Sequence, residues 1–371
     1  MNNPFEGVVV NIGIIGSGQL GWMMIMEGRK LGNSYFVLDD RPGPAAKIAD
    51  GYMPMQDHRS FVDVCDVVTY EFEHVSEAAL VYAEKTGKLR PSLDAVTLKR
   101  ERTAEKEFLV RNNLPTGRFA IAEGKEEAVS AAREFGRAVI KSSRGGYDGK
   151  GQFYIRDAER IQTDLPEGER FVVEEFVDFD YEASIIASRG LDGSMHFHTP
   201  SLNVNEAGIL FYNEAPADDC GMKDIASRLM KTLDYVGVMG IEFFIKSGTA
   251  LINEFAPRVH NSGHHTLHGS SVSQFEQHLR AITGMPISPP VLFRSSGIVN
   301  AVGVELGKEM EKTLLGIPET HVYAYGKGEL RRRRKMGHVN INASDLSMLE
   351  ERRKKVIEII YGSSPSSFFA L

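Results

Sequence analysis

The sequence predicts an α/β protein: a parallel sheet first, then a predominantly β middle, then a short β-rich end. Three observations carry this expectation. Apolar strand-like runs alternate with helical patterns from Val8 to Lys85, the mark of a parallel sheet with crossover helices. From Phe171 to Phe255 the pattern turns to β-rich runs with one helical interruption. Beyond Pro289-Pro290, further strand patterns precede a basic closing helix.

Taken in order, Val8–Ile15 reads as a strand, Gly16-Ser-Gly-Gln-Leu-Gly21 as a glycine turn, and the stretch to about Leu31 as a helix. Tyr35–Asp39 and Val64–Tyr70 are further strands, with a helix over Ser76–Lys85. Pro91 and the charged run Lys99-Arg-Glu-Arg102 mark a boundary near 97, so residues 1–97 form a Rossmann-like first domain. The second block opens with a helix through Asn112. Strand Arg118–Ala122, a helix from Glu126 and strand Ala138–Ser142 follow and lead into a glycine-rich loop. A helix at about Lys223–Tyr235 interrupts the β-rich stretch, and the block closes at 290. Strands near Gly297–Val304 and His338–Asn342 and a helix over Leu346–Ile360 make a small C-terminal β-rich domain, 291–371, ending in a frayed tail.

A length of 371 residues accommodates two or three domains, and 42% hydrophobic with 25% charged residues is ordinary for a globular chain. A net charge of −7 argues against a nucleic-acid partner. Cys65 and Cys220 are too few for a disulfide framework and are expected as buried thiols. No apolar run is long enough to span a bilayer and no leader pattern is evident, so a cytoplasmic location without a membrane partner is expected.

The segment Gly240–Glu254 holds two apolar β-rich runs around Ser247-Gly248, a hairpin signal. A turn centred on Gly248 sets Glu242 opposite Glu254, with Cβ atoms roughly 4.5–5.5 Å apart, where like charges repel. A cation between them removes the conflict, and oxygen ligands in that number suit Mg²⁺ completed by water and nucleotide phosphate. The bland alternative is two solvated glutamates on an exposed face. Asn253 and Arg258 flank the pair and favour a metal-nucleotide site.

Gly16-x-Gly18-x-x-Gly21 after a strand, with Asp39 or Asp40 ending the next, also meets most of a dinucleotide fingerprint. An NAD-dependent dehydrogenase is therefore the rival from another class, although a doubly wound sheet needs these glycines for its turn alone. The same loop could offer N–H groups to an anionic substrate. Gln19 at the turn either touches that substrate or is a solvent-exposed amide.

Val139-Ile-Lys141-Ser-Ser-Arg-Gly-Gly-Tyr-Asp-Gly-Lys150-Gly ends a strand in a lysine and continues in a loop with four glycines. Such a loop can bring backbone amides onto phosphate oxygens, and it is not a Walker A loop; the alternative is a flexible hairpin tip. Phe171-Val-Val-Glu-Glu-Phe-Val177 and Tyr181-Glu182 then place carboxylates at strand borders, where they can read an adenine edge and ribose hydroxyls.

That order of motifs resembles the ATP-grasp superfamily. Gly-Ser-Gly-Gln-Leu-Gly, Tyr-Glu-Phe-Glu-His-Val, Gly-Gly-Tyr-Asp-Gly-Lys-Gly, Asn-Glu-Phe-Ala-Pro-Arg-Val-His-Asn-Ser-Gly-His and Arg-Lys-Met-Gly-His-Val-Asn are similar, in the same order, to those of the N5-carboxyaminoimidazole ribonucleotide synthetases of purine biosynthesis. Trp22 departs from the arginine common after Gln-Leu-Gly, and Lys327–Lys335 is one residue longer than usual. The resemblance implies an α+β ATP-grasp domain over 98–290, with a mobile lid at about 118–172.

It further implies ATP, Mg²⁺, bicarbonate and aminoimidazole ribonucleotide as ligands, and a homodimer. ATP and bicarbonate give carboxyphosphate, whose carboxylate or released CO2 is captured by the ribonucleotide's amine. Carried over by motif, Arg102, Lys141, Tyr147, Gly149, Lys150 and Asn253 serve the nucleotide. Glu174, Glu175 and Val177 serve the adenine edge, and Glu182 the ribose. Glu242 and Glu254 hold Mg²⁺. Arg258, His260, Asn261 and Ser262 hold bicarbonate or carboxyphosphate. Asp148 orients the amine or takes its proton, or else serves only its turn. Gln19, Leu20, Glu73, Lys327, Arg334 and Lys335 meet the ribonucleotide, Glu73 being equally a helix-flanking cap. His264, His265 and His268 receive no role. Formate-dependent glycinamide ribonucleotide transformylase is the nearer rival reading.

Overall fold

The structure is a computed structural model that describes residues 7–145, 151–157, 165–363 and 365–369. Strands β1 (Asn11–Ile15), β2 (Ser34–Asp39), β3 (Gly51–Pro54) and β4 (Val67–Tyr70) form a parallel sheet in the order β3-β2-β1-β4. Ile12, Ile14, Val37 and Val67 are fully buried, as the faces of a helix-covered parallel sheet require. The first strand starts later than its apolar run, because Val8 and Val9 are exposed. Val64 ends a short helix, His58–Val64, rather than opening β4. Its neighbours Phe61 and Val62 are buried, so helical spacing and not alternation governs that run.

A second, antiparallel sheet is made by β5 (Phe119–Ala122), β6 (Ala138–Ser142), β7 (Gln152–Ile155) and β8 (Phe171–Glu175), in the order β5-β8-β6-β7. Helix Lys125–Phe135 buries Ala128 and Ala132 against it.

The remaining strands are β9 (Tyr181–Arg189), β10 (Met195–Phe197), β11 (Ser201–Glu206), β12 (Ile209–Ala215), β13 (Gly237–Lys246), β14 (Thr249–Ala256), β15 (Ser295–Val302), β16 (Thr320–Ala324) and β17 (Lys335–Ala343). They form one sheet in the order β14-β13-β9-β11-β12-β15-β17-β16, with β10 beside β9. The C-terminal strands are therefore not a sheet of their own. β15 pairs antiparallel with β12, from Tyr212↔Val299 to Ala215↔Ser296, and continues the central sheet. Helix Leu346–Tyr361 packs on β15 and β17 through Leu349, Val356 and Ile360.

The expected frayed tail is partly docked. Pro365–Phe368 is a short 3-10 turn, and Phe369 is buried against Phe211 and Tyr361. Two aromatic neighbours outweigh the entropy of a loose end. Cys65 is buried as expected, whereas Cys220 is only half-buried, with its thiol 3.4 Å from the Tyr181 hydroxyl. Among the described residues no helix is long and apolar enough to cross a membrane.

Candidate active site

The hairpin β13–β14 turns at Ser247 and Gly248, whose φ values of 50° and 74° lie in the left-handed region. Its register pairs Glu242 directly with Glu254, beside a bulge at Glu242/Phe243. Burial, then Glu254 and Glu182 as neighbouring negative charges, pushes the Glu242 carboxyl up to about 8. Glu254 moves the other way, because the Lys99 ammonium 2.9 Å away holds it well below the usual range. Although 48% of the Glu254 side chain is exposed, that face opens into a cavity of about 1600 Å³.

The walls of this cavity come from all three segments of the chain. Every described residue that the motifs nominated lines it, except Ser262. Tyr147, Asp148, Gly149 and Lys150 lie outside the described residues. Ser262 is fully buried, which corrects its expected place on the reacting anion. Its hydroxyl lies 2.9 Å from His260 Nδ1, and its N–H donates to the same nitrogen at 3.4 Å. Ser262 therefore orients His260, and an accepting Nδ1 puts the ring proton on Nε2, which faces Glu242 at 3.8 Å. Burial, with Arg258 and Lys335 nearby, pulls the His260 pKa down to about 3, so the ring is neutral at pH 7.

Arg258 Nη2 is 2.9 Å from Glu73, both side chains nearly buried. Glu73 thus aims the arginine and is not a cap. Ser76 performs the capping of the helix Glu77–Lys85 through its side chain, accepting from Ala79 N–H. Asn261 exchanges amide hydrogen bonds with Asn300 at 2.8 and 3.0 Å.

On the opposite wall, Lys141 Nζ lies 3.0 Å from Glu174 and Lys106 Nζ 3.4 Å from it. Burial alone would raise the Glu174 pKa, but these two lysines hold it below the ordinary value. Glu175 pairs with Arg118 at 3.1 Å, and Val177 lies beside Gly117. Glu182 accepts from the Asn205 amide, and burial raises its pKa. Arg102 donates to the Ser142 carbonyl at 2.7 Å, which ties helix Arg102–Arg111 to β6. Lys327 Nζ donates to the Lys335 carbonyl at 2.9 Å and Arg334 to the Glu329 carbonyl at 2.9 Å. These bonds fold the cationic segment along the cavity.

Sequence reasoning missed Lys99, Glu105 and Lys106. Lys106 is 4% exposed and donates to the Asn253 carbonyl at 3.1 Å, while Glu105 accepts from Phe255 N–H at 3.3 Å. The charged run beginning at Lys99 was legible only as a boundary. The spacing from Lys99 to Lys106, spanning the start of a helix, was the available signal.

The glycine loop is closed to a dinucleotide. It sits beside β4, where the strand order reverses, yet Gly18 N–H and Gly21 N–H both donate to Glu71, the latter at 2.8 Å. Ser17 N–H donates to Asp39 at 2.7 Å. A pyrophosphate would have to displace two of the chain's own carboxylates. This argues against the NAD reading and against the loop's N–H groups as a seat for a substrate anion.

Comparison with known proteins matches three family models: a ribonucleotide synthetase preATP-grasp domain over 9–100, an ATP-grasp domain over 107–275, and a phosphoribosylaminoimidazole carboxylase C-terminal domain over 296–352. N5-carboxyaminoimidazole ribonucleotide synthase of Saccharolobus solfataricus is 50% identical over 354 residues, covering 94% of this chain and 96% of that one. The chain belongs to the N5-carboxyaminoimidazole ribonucleotide synthase family. Solved members share its architecture. The Staphylococcus aureus N5-carboxyaminoimidazole synthetase complexed with ADP superposes with a TM-score of 0.89 at 30% identity, over 96% of this chain and 99% of that one. The Aspergillus clavatus N5-carboxyaminoimidazole synthase, in complex with ADP and 5-aminoimidazole ribonucleotide, gives 0.85 at 26% identity, over 95% and 98%. Strands β5 to β8 begin within the stretch expected as a lid, about 118–172, and form the antiparallel sheet β5-β8-β6-β7 inside the ATP-grasp match over 107–275.

Proposed function

We propose that this chain is the ATP-dependent ligase that converts 5-aminoimidazole ribonucleotide, bicarbonate and Mg-ATP to N5-carboxyaminoimidazole ribonucleotide, ADP and phosphate. The observation that carries the chemistry is the Glu242–Glu254 pair, which faces one cavity together with the Glu174–Val177 edge and the cationic segment 326–335. The donor set fits Mg²⁺. Two opposed carboxylates face the cavity, and beside them Asn253 Oδ1 is buried with no partner among the described residues. Bound there, Mg²⁺ would neutralise charge on the nucleotide's phosphate oxygens.

The residue roles belong to the same proposal. Glu174, Glu175 and Val177 border the adenine, Glu182 the ribose, and Lys141 and Arg102 the phosphates. A bicarbonate oxygen attacks the γ-phosphorus as the bond to ADP breaks. Arg258 offers its planar guanidinium to the resulting carboxyphosphate, and His260 offers Nε2–H. The amine of the ribonucleotide then attacks the carboxyl carbon, phosphate leaves and the amine gives up a proton, with Asp148 as the proposed acceptor. Lys327, Arg334 and Lys335 hold the 5′-phosphate, and Gln19, Leu20 and the rim beside Glu73 approach the imidazole ribonucleotide. The cavity gathers acid, amine and nucleotide in one place, so positioning and electrostatics supply the rate. A cytoplasmic homodimer completes the reading.

The test is ADP release by purified protein with Mg-ATP and bicarbonate. Stimulation by 5-aminoimidazole ribonucleotide but not by glycinamide ribonucleotide supports it. Stimulation by formate with glycinamide ribonucleotide would replace it with the transformylase reading.

A further inference from the structure

The seat beside Glu254 already contains a cation. Lys99 Nζ lies 2.9 Å from Glu254 Oε2 and 3.1 Å from Glu105 Oε2, with its side chain only 13% exposed. Glu105 is deeper still, fixed by Phe255 N–H, and both its oxygens reach Lys99, at 3.1 and 3.3 Å. One ammonium therefore stands between a permanent buried carboxylate and a carboxylate that borders the cavity. Glu242, directly across from Glu254, has only the neutral His260 ring near it among the ion-pair partners described. Without a positive charge beside them the hairpin would set the nearly buried Glu242 and the cavity-facing Glu254 face to face, an arrangement that costs folding energy.

We propose that Lys99 is a resident counter-ion: it occupies Glu254 when the metal is absent and withdraws to Glu105 when the metal binds. The Lys99–Glu105 couple thereby sets how tightly the site takes its divalent cation. This rests on the reading of Glu242 and Glu254 as metal ligands and adds a positioning pair that competes with the metal for one of them. The geometry makes the competition direct, since Lys99 uses the Glu254 oxygen that a cation in the cavity would need. Withdrawal requires no backbone motion, because the second partner is within reach of the same ammonium.

Two substitutions should shift metal affinity in opposite directions. Lys99→Met removes the competitor while keeping the stem's apolar contacts, and should tighten divalent-cation binding. Glu105→Gln removes the alternative partner, leaves Lys99 committed to Glu254, and should weaken it. Each shift should be about tenfold, the equivalent of roughly 1.4 kcal/mol. Lys99→Arg should stay near wild type.

The measurement is Mn²⁺ binding to the ADP-saturated protein, read from the loss of the free-ion electron paramagnetic resonance signal. Thermal unfolding in EDTA is the companion readout. There Lys99→Met should melt lower than wild type, because its paired carboxylates have lost their cation. Opposite shifts for the two variants support the proposal. Weaker or unchanged Mn²⁺ binding in Lys99→Met overturns it, and so does tighter or unchanged binding in Glu105→Gln, which also decides the matter should Lys99→Met fail to fold. Glu254→Gln separates the two readings. If it leaves Mn²⁺ binding intact, the metal assignment itself fails; if it weakens Mn²⁺ while the other two do nothing, only the counter-ion role fails.

Discussion

Breaking the Glu73–Arg258 pair should cost this protein stability from either side, and catalysis wherever Arg258 is the residue removed. Glu73 is 5% exposed, and its carboxylate lies 2.9 Å from the nearly buried Arg258 guanidinium. At that distance the attraction is about 6 kcal/mol with an effective dielectric constant of roughly 20. Desolvation of both charges offsets much of it, so the pair itself contributes modestly. Removing one partner is different, because the other charge stays buried and alone; that costs about 3–5 kcal/mol. Arg258 would keep its Val259 carbonyl contact at 3.0 Å, but its Nε has no partner among the described residues. Glu73→Met and Arg258→Met should each lose stability on that scale in urea titrations. The double variant should lose clearly less than their sum, because no lone charge remains. ADP release with bicarbonate and 5-aminoimidazole ribonucleotide should nevertheless stay lost in both variants that lack Arg258. Single-variant losses that add within about 0.5 kcal/mol would refute the coupling, and normal turnover in Arg258→Met would refute the arginine's role on the reacting anion.

Three further outcomes follow from the site. Glu254→Ala should abolish ATP turnover with the fold intact by circular dichroism, and retained Mg²⁺-dependent turnover would contradict the metal assignment. Lys327→Ala should raise the KM for the ribonucleotide by about tenfold to a hundredfold, the scale of a lost charge-assisted hydrogen bond, with far less effect on the KM for ATP. The metal-free protein should lose stability as pH rises from 6.5 to 8. The Glu242 carboxyl stays protonated in the folded chain up to about 8 but ionises near 4.5 when unfolded, so the folded state binds the extra proton across that window. Below 6.5 the depressed His260, about 3 in the folded protein, opposes this slope, since there the unfolded chain binds more protons. Between 6.5 and 8 the Glu242 contribution is about 2 kcal/mol, and Glu242→Gln should flatten it in thermal melts taken with EDTA.

What local sequence could carry here, it carried well. The turn at Ser247-Gly248 was legible from the apolar runs that flank it, but its register alone would set Glu242 opposite Asn253; the bulge at Glu242/Phe243 shifts the pairing by one residue and brings Glu254 across instead. Strand Ala138–Ser142 and helix Leu346–Tyr361 likewise follow from their own periodicity and lie where it put them. Among the described residues, those nominated by motif also share one cavity, Ser262 excepted.

Contacts between distant segments were beyond such patterns. Nothing in residues 67–73 announces that Glu71 will close the glycine loop or that Glu73 will reach Arg258, 185 positions away. The Lys99–Glu105–Glu254 triad and the joining of β15 to β12 have the same origin. A charged residue reads as solvated or paired according to what the fold packs beside it, and desolvation depends on neighbours far off in sequence. The sequence by itself determined which chemistry this chain can perform and the local frames that present it. Only the tertiary structure decided which carboxylates stand free to meet a metal, and which are already committed to an arginine, a lysine or a helix end.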